Sequence, residues 1–399
     1  MYNMMLATGI ECSYPTIRDR TYRVDELDTT GHYQRWQEDL QLTKALGINT
    51  LRYGIPYHRV NTGRGQYDWS FVDLVMNEMR ALGIEPILDL CHFGMPDWLG
   101  NSFQNPEFPT AFADYAQAFA ERYPWVRFYT PINEMFVCSK FSALYGWWNE
   151  QQASNATFMA AICTMVKGSL LATERILKVQ PKAVFIQSES CEYTHTMSGH
   201  EEQNARVEWE NQVRFLALDL LYGHQVRADI YAWMLQNGVT HNDYAWFMNH
   251  YHYRSVLGTD YYITNERMLN ANNEVVHVGE TFGWYVISMD YYQRYHKPLM
   301  HTETNLREDQ NAVGWLWKQW QNILRMRADG IPVLGFTWYS LTDQVDWDTA
   351  LREPNHTVNP LGLYDLDRKI RPVGTAYREL IEQFGWLPIV HNSDFFTVQ

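Results

Sequence analysis

A chain of 399 residues, 46% of them apolar, is long enough to bury one large core, and α/β barrels of this length fold as single units. The formal net charge of −14 argues against a nucleic-acid or anionic-membrane partner, because phosphate contacts need clustered Lys and Arg. It also disfavours anionic substrates wherever no local basic pocket overrides the total.

No window reaches the ~18 uninterrupted apolar residues of a membrane helix, and the stretch Met1-Tyr2-Asn3-Met4-Met5-Leu6 lacks the basic segment and apolar core of a secretory signal. Cys12, Cys91, Cys138, Cys163 and Cys191 are odd in number and without a CxxC pair. This suits reduced, mostly buried thiols in a cytoplasmic protein. The 16 Trp and 26 Tyr serve mainly as core, but sugar clefts lay flat aromatic faces against pyranose C–H faces, and the excess tilts toward carbohydrate.

In chain order, strands are expected at 6–12, 48–53, 84–91, 126–134, 183–189, 257–262, 298–304 and 332–339. Most are separated by a helical pattern. Val72, Val75, Met79 and Leu82 recur at three- and four-residue spacing, and Ser70-Phe71-Val72-Asp73 resembles a capping box. Phe112, Tyr115, Phe119 and Tyr123 form a second stripe. Met159, Ile162, Val166, Leu170 and Ile176 belong to a third. The junctions Leu46-Gly47-Ile48, Leu82-Gly83-Ile84 and Asp329-Gly330-Ile331 each put glycine just past a helix end, where a left-handed residue is wanted. Helix, glycine, strand, repeated, spells α/β winding. Polar residues from Glu201 to Asn211 read as a surface excursion, and no linker marks a second domain. The expected fold is one (β/α)₈ barrel over 1–399.

Two expected strands end in glutamate: Thr130-Pro131-Ile132-Asn133-Glu134 closes the fourth, and His301-Thr302-Glu303-Thr304-Asn305 closes the seventh. Catalytic groups of such barrels sit at these strand ends. Glycosidic hydrolysis needs one carboxyl to protonate the leaving oxygen and another to meet charge on the sugar carbon. Arg52, on the second strand, is placed to keep Glu303 ionised. Glu134, facing that charge, would then have its pKa raised and serve as acid, then as base. Asn133 could hydrogen-bond the sugar 2-hydroxyl.

With these motifs the chain resembles a family 1 glycoside hydrolase, the β-glucosidase group of retaining barrel enzymes. Leu51-Arg52-Tyr53-Gly54-Ile55 is similar to that family's second strand. Cys91-His92-Phe93 with Pro96-Asp97-Trp98-Leu99, Gly258-Thr259-Asp260-Tyr261-Tyr262, and Gly335 through Trp347 follow in the family's order. The resemblance implies Glu134 as acid/base and Glu303 as nucleophile. It places His92 and Asn133 on sugar hydroxyls, Tyr262 on the nucleophile with Arg52 behind it, Trp338 as the glycone floor, and Asp346 and Trp347 on the far hydroxyls. It implies no cofactor and no metal.

The departures bear on the sugar. Glu11 stands where the family has a glutamine, Phe93 follows the histidine, Asp260 replaces an asparagine, and Asp346 replaces a glutamate. Arg352 lies after the eighth strand without the pattern of phosphosugar-cleaving members, so a phosphosugar is not expected. His250 and His252 lack metal-ligand spacing. Trp147 and Trp148 line the aglycone side or pack it, and Trp315, Trp317 and Trp320 are expected to pack. The expected substrate is a small glycoside or oligosaccharide. A transglycosidase and a non-catalytic carbohydrate-binding barrel are the two rivals, and the sugar, the aglycone and the oligomeric state are open.

Overall fold

The computed structural model describes residues 3–197, 199–251 and 254–389. Eight parallel strands close into a barrel in chain order: β1 (Met5–Gly9), β2 (Thr50–Gly54), β3 (Glu85–Asp89), β4 (Phe128–Thr130), β5 (Val184–Ser190), β6 (Ser255–Asp260), β7 (Leu299–Glu303) and β8 (Val333–Trp338), with β8 pairing back onto β1. Each lies in or overlaps one of the eight expected windows. Strand residues are buried on both faces, as parallel strands covered by helices must be. Asp89, Asp260 and Glu303 are the last residues of β3, β6 and β7, and Glu189 is next to last in β5. The carboxyl rim of the barrel therefore gathers acidic groups, with Arg52 of β2 among them.

The crossovers are the helices His32–Ala45, Ser70–Leu82, Phe108–Arg122, Asn155–Val179, Gly283–Tyr295 and Ala312–Ala328, and Pro372–Phe384 closes the layer. The β5–β6 connection holds four helices, Asn204–Val213, Leu216–Tyr222, Ala228–Gln236 and His241–Asn249. The polar run expected as a surface excursion forms the first of these, pinned by buried Val207. Val72, Val75 and Met79 are buried, as are Phe112, Tyr115 and Phe119, and Met159, Ile162, Val166, Leu170 and Ile176. Gly47, Gly83 and Gly330 take φ of 82°, 64° and 82°, the conformation their junctions require.

Asn155–Val179 is long and apolar enough to cross a membrane by length and composition, yet it packs along Phe108–Arg122 in the barrel layer. The capping box expected at Ser70 does not form. The helix begins there, but Asp73 spends its carboxylate on Arg122 (2.7 Å) and Tyr123 (2.8 Å) of the next crossover. Trp315 and Trp320 are buried and pack, as expected. His250 stacks on Trp246 at 4.2 Å, and His252 lies outside the described residues.

Candidate active site

Arg52 is the hub of the rim. It is 2% exposed. One terminal nitrogen, Nη1, donates to Glu303 Oε1, and Nη2 donates to Asp89 Oδ2 (3.1 Å) and Asn133 Oδ1 (3.0 Å). Tyr262 donates to the other carboxylate oxygen, Glu303 Oε2, at 2.7 Å. Glu303 thus accepts on both oxygens, the pattern of a carboxylate with charge-assisted bonds. Burial opposes the Arg52 charge, but Glu303, Asp89 and Asp260 hold its pKa well above the ordinary arginine value.

The Arg52–Asn133 bond also orients a histidine. With its oxygen held by Arg52, Asn133 turns its NH₂ to His92 Nε2 (3.2 Å), while His92 Nδ1 meets Asp89 Oδ2 at 2.8 Å. That network fits a neutral imidazole, with Nδ1–H donating to Asp89 and Nε2 accepting. Tyr14 accepts the His92 backbone N–H at 3.0 Å.

Glu134 does not end β4 itself. The strand stops at Thr130, and Glu134 caps the short helix Met135–Ser139 in a left-handed conformation with φ 40°. Non-glycine residues hold such a conformation only when their surroundings over-determine it. Three successive residues of β5 do so: Gln187 Nε2 donates to Ile132 O (2.9 Å), Ser188 O accepts the Glu134 N–H (3.0 Å), and Glu189 accepts the N–H groups of Met135 (2.8 Å) and Phe136 (3.3 Å). The sequence reading missed this support. Its signal was the polar run Gln187-Ser188-Glu189 inside an otherwise apolar strand.

Electrostatics separates the carboxyls. Burial, then the charges of Asp260, Glu303 and Glu189, push Glu134 well above the usual carboxylate range. Burial lifts Glu189 to about 8, against the two amides it accepts. Burial and Glu303 lift Asp260 to about 7, against Arg52 and Ser188. The two glutamates thus sit in different surroundings: burial and neighbouring charge favour the protonated form of Glu134, while Arg52 and Tyr262 donate to Glu303.

The remaining expected residues fare unevenly. Trp338 is not the floor. Its ring is fully buried and donates to Leu361 O at 3.0 Å. Its neighbour Tyr339 instead places Arg52 over its ring (5.6 Å) and lies nearly parallel to His92 at 6.3 Å. Consecutive residues along an extended strand face opposite ways, so Tyr339, not Trp338, faces Arg52 and His92. Gly9 makes the room, since a Cβ there would sit 2.2 Å from the Tyr339 ring. Asp346 has both oxygens engaged, by the backbone N–H groups of His356 (3.0 Å) and Thr357 (2.7 Å). Trp347 is half-buried against Phe93 and Trp148, and its Nε1 has no acceptor among the described residues. Glu11 is 2% exposed and accepts from Ser13 N (2.9 Å) and Gln344 Nε2 (3.4 Å). Trp148 is fully buried and donates to Ala350 O, whereas Trp147 lies under the Arg352 guanidinium at 4.4 Å.

Cys12, Asp89 and His92 offer ligand atoms within 4.8 Å of one another. Asp89 Oδ2, however, already joins His92 to Arg52, and a metal ion there would face the guanidinium across a low-dielectric gap. The cluster suits hydrogen bonding to a neutral ligand better than cation binding.

The closed barrel and the carboxylate pair on its rim define a glycosidase-type protein. The family model described as glycosyl hydrolase family 1 matches residues 10–277, and the chain belongs to that family. It is similar to 6-phospho-beta-glucosidase AscB of Escherichia coli (strain K12), 24% identical over 96% of this chain and 89% of that one. It is also similar to the protein named probable inactive beta-glucosidase 14 of Oryza sativa subsp. japonica, 23% identical over 48% of this chain, which spans 38% of the rice protein's length. The beta-glucosidase from Thermotoga maritima in complex with noeuromycin shares the fold with a TM-score of 0.80 at 17% identity, covering 96% of this chain and 99% of that one.

Proposed function

We propose that the chain is a retaining β-glycosidase that works by double displacement. The observation that carries this reading is Glu303, held as a carboxylate by Arg52 and Tyr262, opposite a buried Glu134 whose environment keeps it protonated. Glu134 gives its proton to the glycosidic oxygen as that oxygen leaves C1, and Glu303 forms an ester to C1 from the opposite face. The ester removes the Glu303 charge. Glu134, now ionised, takes a proton from water, which displaces Glu303 and restores the starting anomeric configuration.

Asn133 and His92 contact sugar hydroxyls in this reading, Tyr339 lies under the ring, and the unpartnered Trp347 Nε1 donates to a far hydroxyl, since a buried donor left unpaired costs stability until a ligand completes it. We propose a neutral, non-phosphorylated glycone. Glu11 and Glu26 are both buried on the β1 side of the site, where burial favours their neutral forms, and two carboxyls there bring no positive charge to a phosphate dianion. We also propose a single-domain protein of the cytoplasm, which accords with five free cysteines.

A 2-deoxy-2-fluoro-β-glycoside with a good leaving group tests the nucleophile. Peptide mapping should find one sugar esterified to Glu303. Labelling elsewhere, or none while turnover persists, would refute the assignment.

A further inference from the structure

Asp260 does not enter the reaction just described, yet it occupies the middle of the acidic rim. It ends β6 where that strand pairs with the Glu303 end of β7, and it is fully buried. Both of its oxygens rest on one hydroxyl: Ser188 Oγ lies 2.8 Å from Oδ1 and 2.6 Å from Oδ2. A serine hydroxyl carries one hydrogen, so it donates along one of those contacts. The second becomes a hydrogen bond when the Asp260 carboxyl carries a proton and donates it to Ser188 Oγ.

The groups facing Asp260 come from every side. Glu303 lies on β7, Glu189 and Cys191 on β5 and its end, and Glu134 on the loop after β4. Tyr262 follows Asp260 itself, and Arg52 reaches in from β2. Arg52 is the one cation in that set, and its guanidinium already serves Glu303, Asp89 and Asn133. Five carboxyls, those of Asp89, Glu134, Glu189, Asp260 and Glu303, therefore share one positive charge. Like charges this close do not all ionise together, and they lose their protons as a coupled set.

We propose that Asp260 is a positioning residue that keeps Glu134 an acid at and above neutral pH: it holds a proton against Ser188 in mildly acidic solution, and after releasing it to solvent its charge makes the Glu134 proton harder to remove. The inference rests on Glu134 being the acid of a glycosidase. Its consequence is directional. At low pH, Asp260 is neutral and leaves the acid limb of the rate profile alone. At higher pH, Asp260 is charged, and the alkaline limb, which reports Glu134 losing its proton, moves upward. Ser188 joins the two groups: its hydroxyl contacts both Asp260 oxygens while its carbonyl accepts the Glu134 N–H at 3.0 Å, and the Asp260 charge raises the Glu134 pKa after burial.

The test compares pH profiles of kcat/KM for wild type, D260N and S188A with an aryl β-glycoside, alongside infrared difference spectra of the free proteins. Asparagine keeps the shape and removes the charge. In D260N the alkaline limb should fall by at least about one pH unit while the acid limb stays in place. Subtracting the D260N titration from that of wild type should leave one buried protonated-carboxyl band with a midpoint near 7, the bands of Glu189 and Glu150 being common to both. S188A should move that midpoint upward, because the bond Ser188 donates to the carboxylate is charge-assisted and outweighs the one it accepts from the neutral acid. An unmoved alkaline limb, or carboxyl bands that titrate identically in wild type and D260N, overturns the proposal. If the protein hydrolyses no glycoside, the infrared titration still decides where the proton sits, so failure of the glycosidase reading is distinguishable from failure of this one.

Discussion

Replacing Glu134 by Gln removes a proton donor and leaves the scaffold that holds it. The Glu134 backbone N–H to Ser188 O bond and the Glu189 anchors on Met135 and Phe136 do not involve the Glu134 side chain, so the fold should survive. A positioned general acid contributes about 10²–10⁴ in rate, or about 2.7–5.4 kcal/mol at 1.36 kcal/mol per tenfold. Alkyl β-glycosides, whose leaving oxygen needs the proton, should lose that amount in kcat/KM. Dinitrophenyl β-glycosides leave without protonation and should lose roughly tenfold or less in the same step. Azide should then accelerate breakdown of the glycosyl-enzyme and yield a β-glycosyl azide. The alkaline limb also carries a sign: the protonated form of Glu134 is active, so wild-type activity falls as pH rises through its raised pKa, and E134Q lacks that fall. Steady-state kinetics across a leaving-group series reads all of this. Equal losses on both substrate types, with the alkaline limb intact, would refute the role.

Tyr262→Phe removes the 2.7 Å bond to Glu303 Oε2. A hydrogen bond to a charged group is worth about 1.5–3 kcal/mol, so kcat/KM should change roughly 10- to 100-fold, read by kinetics at fixed pH, with the Arg52 contact preserved. Glu189→Gln tests linkage. A carboxyl raised to about 8 in the folded state binds a proton that the unfolded chain has already lost, so wild type should lose stability as pH rises from 6 to 8. The slope relative to E189Q should approach about 1.4 kcal/mol per pH unit, measured by denaturant unfolding at pH 6, 7 and 8. Parallel curves would show that Glu189 is ionised throughout.

The barrel was legible because its signals are local. Glycines at 47, 83 and 330 stop helices, and each apolar run that follows is a strand. Glu303 was legible for the same reason, as the last residue of a short strand. What escaped depended on partners distant in sequence. Asp73 could not be denied its capping box without knowing that Arg122 lies beside it. Gln187, Ser188 and Glu189 became supports of Glu134 only when β5 was laid against the loop after β4. Trp338 and Tyr339 adjoin in sequence but face opposite ways, and choosing between them required the register of β8 against β1 and the space left by Gly9. The anchoring of Asp346, by backbone amides ten and eleven residues onward, was likewise invisible without the folded chain.

Product stereochemistry bears most directly on the two-carboxylate claim. Proton NMR recorded during the first minutes of hydrolysis of an aryl β-glycoside should show the β-anomer of the free sugar appearing first, with the α-anomer following by mutarotation. An α-anomer formed first would mean that water attacks directly across a wider gap, and Glu303 could not be the nucleophile.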